Sequence, residues 1–384
     1  MNKLLSLLAI VVVIVIAVFL FTESKAPQPI EVDDIGATPE SIQSVVDANN
    51  QFTFDLYAEL SVAEAGNVFY SPYSISTALA MVYEGARGQT AEEIRSVFHF
   101  PEDIAVQRSA IAAIYNKLNE KDTAYKLHTA NALWVKDGYE LLDTFTDTLE
   151  QYYGGKAENV NFAGISGEAS RKINDWVSDW TNGKIENLFS KDAFNEFTRL
   201  VLTNAIYFKG TWVKQFDKKY TQDEDFRVSN TETVRIPMMR QTDKEAIFGY
   251  AETEELQMLE MPYEGENLSM LVLLPKGDSV ASLEGLLDVD RLHNWKDQLA
   301  EQQVKVFMPK FTFTSKYALA DVLRRMGMPL AFTPPEELLE SGADFSGISG
   351  KRDLFIAKIV HHGHLVQEEG KQQPELIKRI WAYH

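Results

Sequence analysis

The chain has 384 residues, 45% hydrophobic and 24% charged, which fits one large domain or two modest ones of ordinary soluble composition. Its net charge of −19 argues against a nucleic-acid partner, because nothing of that sign releases counterions from phosphates. The absence of cysteine excludes a disulfide framework, a thiol nucleophile, thiolate metal sites and a lipoprotein anchor, while leaving an extracytoplasmic location open.

Lys3 precedes an apolar run, Leu4–Phe21, broken only by Ser6. The run exceeds the ~7–15 residues of a signal-peptide core. It just suffices to span a bilayer. The small-x-small triplet Ser24-Lys25-Ala26 is followed by Pro27, a poor context for cleavage. Residues 1–21 are therefore expected to be an uncleaved membrane anchor, with a cleaved signal peptide as the alternative. Either exports the rest of the chain. Thr22–Val45 carries Pro and acidic residues without periodicity and reads as a flexible tether, so folding is expected from about Val46.

"DANNQFTFDLYAEL" reads as an amphipathic helix. In "NVFYSPYSISTALAMVYEGARGQTAEEI", Ser71 is an N-cap and Pro72 suits the first helical position. Ile75, Leu79 and Val82 recur at helical spacing until Gly85. Thr90 with Glu93 reads as a capping box opening a short helix through Ile94, Val97 and Phe98. "LHTANALWV" is strand-like, "LLDTFTDTLEQYYG" helical, and "RKINDWVSDWTNGKI" places Ile173, Trp176, Val177 and Trp180 on one helical face. Leu200–Phe208 is a near-continuous apolar run suited to a strand buried on both faces. Beyond Trp212 the chain turns β-rich, with a hairpin over Met258–Pro275 around Glu264–Asn267. The helix "KYALADVLRRMGM" stops at Gly327, and "RDLFIAKIVHHGHLV" is a last long strand. Helices dominate the first half and strands the second, which predicts an α+β fold.

Catalytic signatures are missing. There is no G-x-S-x-G elbow; the two "GISG" stretches, at Gly164 and Gly347, lack its strand–turn–helix frame. H-E-x-x-H and G-x-x-x-x-G-K-[ST] do not occur. No isolated pair of carboxylates stands in apolar surroundings. In His361-His362-Gly363-His364, a strand would place His362 and His364 on one face and His361 on the other. A metal reading needs a third ligand, so a buried, hydrogen-bonded His361 is the simpler expectation. Ser74 lies one turn beyond Ser71, and no His or Asp near either in sequence supports a triad. No enzyme activity, cofactor or metal is expected.

Together these segments resemble the serpin family of serine protease inhibitors over roughly Val46–Gly370. "NVFYSPYSISTALAMVYEGARGQTAEEI", "LTNAIYFKGTWVKQF", "MPYEGENLSMLVLLPKG", "VKVFMPKFTFTSKYALADVLRRMGM" and "ADFSGISGKRDLFIAKIVH" follow the family's order and spacing. The resemblance implies three β-sheets with about nine helices in a metastable monomer. It also implies a reactive loop that a target serine protease cleaves and that then inserts into the central sheet. It assigns Ser71, Ser74, Asn204 and His361 to a polar shutter beneath that sheet. Trp212 falls at the breach where the loop enters, and Glu369 and Gly370 begin the hinge.

After Gly370 the pattern departs. The family has small residues there; this chain has Lys371, Gln372, Gln373 and Pro374, bulky or unable to donate to a ladder. Codons for Gly-Lys-Gln-Gln-Pro, read one nucleotide earlier after Gly, can encode Glu followed by Ala or Thr. The expectation is a frameshift near Gly370 that makes 371–384 an atypical tail. The reactive bond and the closing strands of the second sheet would then be absent, and the chain as written inactive. The alternative is a non-inhibitory serpin-like binding protein or remnant.

Overall fold

A computed structural model describes residues 29–367, apart from 65, 121–125, 165–166, 182, 184, 229–230, 266, 278–279 and 337–340. In chain order its elements are α1 (Pro39–Ala63), α2 (Pro72–Tyr83), α3 (Gly88–Phe98), α4 (Ile104–Leu118), β1 (Lys126–Lys136), α5 (Asp143–Tyr153), β2 (Lys156–Val160), α6 (Glu168–Trp180) and β3 (Leu200–Lys209). There follow β4 (Gln222–Arg227), β5 (Thr233–Gln241), β6 (Ile247–Glu252), β7 (Leu256–Pro262), β8 (Ser269–Pro275), α7 (Val280–Glu284) and α8 (Val289–Lys296). The last are β9 (Ala300–Gln303), β10 (Val306–Pro309), β11 (Phe311–Ala318), α9 (Ala320–Met326), α10 (Ser346–Ser349) and β12 (Ile356–Gln367). Among the described residues there are ten α-helices and three sheets, in the orders β11-β12-β3-β1-β2, β10-β5-β4 and β8-β7-β6-β9.

The five-stranded sheet organises the molecule because both of its faces are covered. On the lower face Leu133, Leu200, Leu202 and Ile359 share a core with Ile75, Leu79 and Val82 of α2. On the upper face Trp134, Val201 and Val360 pack with Ile173 and Val177 of α6 and with Leu188 and Phe189 beyond it. A strand wetted on neither side needs apolar residues at both parities, which explains the unbroken run at Leu200–Leu202. β3 pairs antiparallel with β1 but parallel with β12. Among the described residues, this seam and the short edge pair β1–β2 are the parallel pairings of this sheet.

Two local expectations are corrected. The packed chain does not begin near Val46. Helix α1 starts at Pro39, capped by a reciprocal Thr38–Ser41 box, and Val32 is already buried. Nor do Thr90 and Glu93 open a helix. α3 begins at Gly88, where φ is +52°. The Thr90 hydroxyl accepts from Asp344 N–H at 3.0 Å, and the Glu93 carboxylate accepts from Leu330 N–H at 3.0 Å. Tertiary partners took the groups a local cap would have used. Leu4–Phe21 and residues 368–384 lie outside the described residues, and with them the anchor, hinge and tail readings. Among the described residues no helix is long and apolar enough to cross a membrane.

Candidate functional site

Strand register creates the site. Asn204 on β3 lies opposite Asn131 on β1 and opposite His361 on β12, and His361 in turn lies opposite Tyr317 on β11. Residues directly opposite one another share a face. The result is a row, Tyr317–His361–Asn204–Asn131, crossing four strands beneath the sheet, where α2 begins. Ser71 and Ser74 come to the same place because Ser71 caps α2, its hydroxyl accepting from Ser74 N–H at 3.3 Å.

His361 is fully buried, and its two nitrogens have different tasks. Nε2 accepts from Ser71 N–H at 3.1 Å, and the partner of Nδ1 is Asn204 Oδ1 at 2.5 Å. An amide N–H only donates and an amide oxygen only accepts, so the ring is neutral with its proton on Nδ1. Burial, helped by charge on His362, holds its pKa down to about 3. Asn204 Nδ2 donates to Asn131 Oδ1 at 2.6 Å, to Ser74 C=O at 2.7 Å and to the Ser74 hydroxyl. With two hydrogens for three acceptors, one bond is shared. No Ser–His nucleophile pair forms here, since His361 engages the Ser71 backbone rather than its hydroxyl.

The row divides into two grips. Ser315 and Tyr317 on β11 hold both backbone groups of Phe69: the Ser315 hydroxyl donates to its C=O at 2.5 Å and the Tyr317 hydroxyl accepts from its N–H at 3.2 Å. With His361 they form a grip on Phe69–Ser71. Asn204, braced by Asn131, forms a second grip on Ser74. The β12–β3 seam passes between the grips, bridged on this face by the His361–Asn204 bond. Gly363 keeps the first grip close, because a Cβ there would sit 2.7 Å from Phe69 Cε1. Asn131 and Tyr317 were not singled out from the sequence. A signal existed for Asn131: it alternates with Leu133 and Val135 on an otherwise apolar inward face.

On the upper face the segment between α6 and β3 crosses the same seam. Beyond it, Lys316 Nζ on β11 donates to Leu188 C=O and Lys358 Nζ on β12 donates to Ala193 C=O. Partial burial lowers the Lys358 pKa. Trp212 lies apart from the row. It stacks on Tyr263 at 4.3 Å and 11°, and its buried Nε1–H has no partner among the described residues. Glu369 and Gly370 fall outside the described residues. Among those described, no group of three or more His, Asp or Glu is placed to hold a metal.

The family model for serpins, serine protease inhibitors, matches residues 47–378. The chain belongs to the serpin family. It is 44% identical over 330 residues to an uncharacterised serpin-like protein of Thermococcus kodakarensis, covering 85% of this chain and 74% of that one. It is also 37% identical over 340 residues to the leukocyte elastase inhibitor of Homo sapiens, covering 86% and 88%. Uncleaved ovalbumin superposes with a TM-score of 0.78 at 32% identity, covering 87% of this serpin and 92% of ovalbumin. A highly specific serpin of the insect Tenebrio molitor superposes with a TM-score of 0.76, also at 32% identity, covering 88% and 90%. The three-sheet α+β architecture expected from the sequence is thus the serpin fold, with ten described helices rather than about nine.

Proposed function

We propose that this serpin is built as an inhibitor of serine proteases, elastase-like enzymes first among them, whose body admits a reactive-loop strand into the β12–β3 seam, and that with Lys371, Gln372, Gln373 and Pro374 after Gly370 the chain as written is inactive. The observation that carries the reading is the polar row: Ser71, Ser74, Asn204 and His361 lie under the seam, and the His361–Asn204 hydrogen bond joins its two sides. Hydrogen-bonded groups part and re-form in a new register, which interlocked apolar side chains do only at the cost of a cavity. In this reading, where an in-frame reactive loop follows Gly370, a protease serine attacks a peptide carbonyl of that loop. The peptide C–N bond breaks, the new amino terminus leaves with a proton, and the acyl-enzyme is carried along as the freed strand inserts. Glu369 and Gly370 begin the hinge, and Trp212 marks the end of the seam where entry starts. The human relative's name supplies the target class.

A second reading, a non-inhibitory serpin-like binding protein, is favoured by one feature. Lys371, Gln372, Gln373 and Pro374 stand where an inserting hinge needs small side chains. Incubation with an elastase and a panel of other serine proteases, of the chain as written and of the protein translated in the other frame after Gly370, separates the two. An SDS-stable complex larger than the 43.5 kDa chain supports inhibition. Cleavage without a stable complex, or no reaction at all, by the other-frame protein supports the second reading.

A further inference from the structure

The expected tether is not a tether throughout. Val32 is 6% exposed, inserted against Ala112 and Tyr115 of α4 with Tyr152 of α5 alongside. Asn116 of α4 reads both backbone groups of Val32: Oδ1 accepts its N–H at 3.0 Å and Nδ2 donates to its C=O at 2.8 Å. Asn116 Nδ2 also reaches Asp34 at 3.1 Å. Asp33 N–H donates to Gln151 C=O of α5 at 2.7 Å, while Gln151 Nε2 donates to the Asp33 carboxylate at 2.8 Å. An Asx turn, Ile35 N–H to Asp33 Oδ1 at 3.0 Å, then leads through Gly36, where φ is +93°, into the capped start of α1. Strap, turn and helix form one continuous braced path.

Geometry follows from the placement. α5 packs against β2, the edge of the five-stranded sheet opposite β11. If the tether ran free from Thr22 to Val45 its reach would be about 80 Å, and the body would tumble about it. Docking at Val32 leaves Thr22–Glu31, a reach of about 34 Å, comparable to a small domain. We propose that this strap pins the α4–α5 face toward the surface to which Leu4–Phe21 attaches, leaving the β11–β12 edge of the sheet turned outward. This rests on reading Leu4–Phe21 as a membrane segment, and it is independent of whether the molecule inhibits a protease.

The native chain has no cysteine, so single reporters are easily placed. Asp147→Cys on α5 and Ala318→Cys on β11 are both exposed and can carry a dye in the full-length protein. The protein is reconstituted into vesicles of equal parts phosphatidylcholine and phosphatidylglycerol with a head-group spin label as quencher. The expected result is quenching several-fold stronger at position 147 than at 318. The difference should collapse in Val32→Asp and Asn116→Ala backgrounds, with new cleavage by a Glu-specific protease at Glu31 in the same variants. Equal or reversed quenching in the otherwise unaltered chain overturns the proposal, as does failure of the full chain to remain with the vesicles on flotation. The protease-complex assay reports on the inhibitory reading separately.

Discussion

His361 turns the row into a pH-sensitive element. In the folded chain its pKa is about 3, against 6.5 for the unperturbed group. Between these values the unfolded chain binds more protons than the folded one, so stability rises with pH through that window and falls as acid is added. From pH 6.5 down to pH 5 the linkage amounts to about 1.6 kcal/mol for one group. Denaturant midpoints measured at pH 6.5 and pH 5 for the native chain and for His361→Gln test this. The native chain should lose about 1.6 kcal/mol more than the variant over that interval. Equal losses would mean that the imidazole stays neutral in both states or is wetted in the fold.

At the scale of elements, the segment joining α6 to β3 matters because it lies across the seam. Its far side is tied by Lys316 and Lys358, while Leu188 and Phe189 pack with Val201 and Val360 on either side of the seam. Parting β12 from β3 requires this segment to lift. Each lysine bond is partly solvated, so about 1 kcal/mol apiece is a fair scale. Lys316→Ala and Lys358→Ala should each speed hydrogen exchange of β12 amides from Lys358 to His362 about fivefold, leaving β6 and β7 unchanged. Unaltered β12 exchange, or a uniform rise in every sheet, would assign the lysines to general stability only. The legibility of these elements varied for physical reasons. α6 was readable because Ile173, Trp176, Val177 and Trp180 repeat at one period on one element. The row was readable only in part. Ser71 announced itself by its local cap, and Asn204 and His361 by family resemblance, but Asn131 and Tyr317 gain meaning only when register places them opposite those residues. The strap was hidden for the same reason: Val32 is held by Asn116, 84 residues away. Thr90 and Glu93 misled because a local pattern was overridden by distant backbone groups.

For the whole molecule, strand direction explains why the seam is the weak line. β11–β12 and β3–β1 are antiparallel ladders, whereas β12 and β3 run parallel over Ile356–Leu365 and Leu200–Phe208. Parallel pairing is slightly less stable per residue. A strand entering antiparallel to both neighbours exchanges that one parallel ladder for two antiparallel ones, and among the described strands only the short β1–β2 pair remains parallel. The body is therefore expected to accept a strand supplied from outside. An extended peptide of Ala and Thr residues, long enough to match the paired length of β3, should raise the thermal midpoint by an amount that grows with the logarithm of its concentration above Kd. At a hundred times its Kd the gain is about 2.7 kcal/mol. A peptide of the same length with Lys and Gln at its leading positions should bind more weakly, because those side chains must pass between Val201 and Val360 above and the polar row below. No shift with either peptide would show that the sheet is closed as built, and that the polar row serves to hold α2 in place rather than to let the strands part.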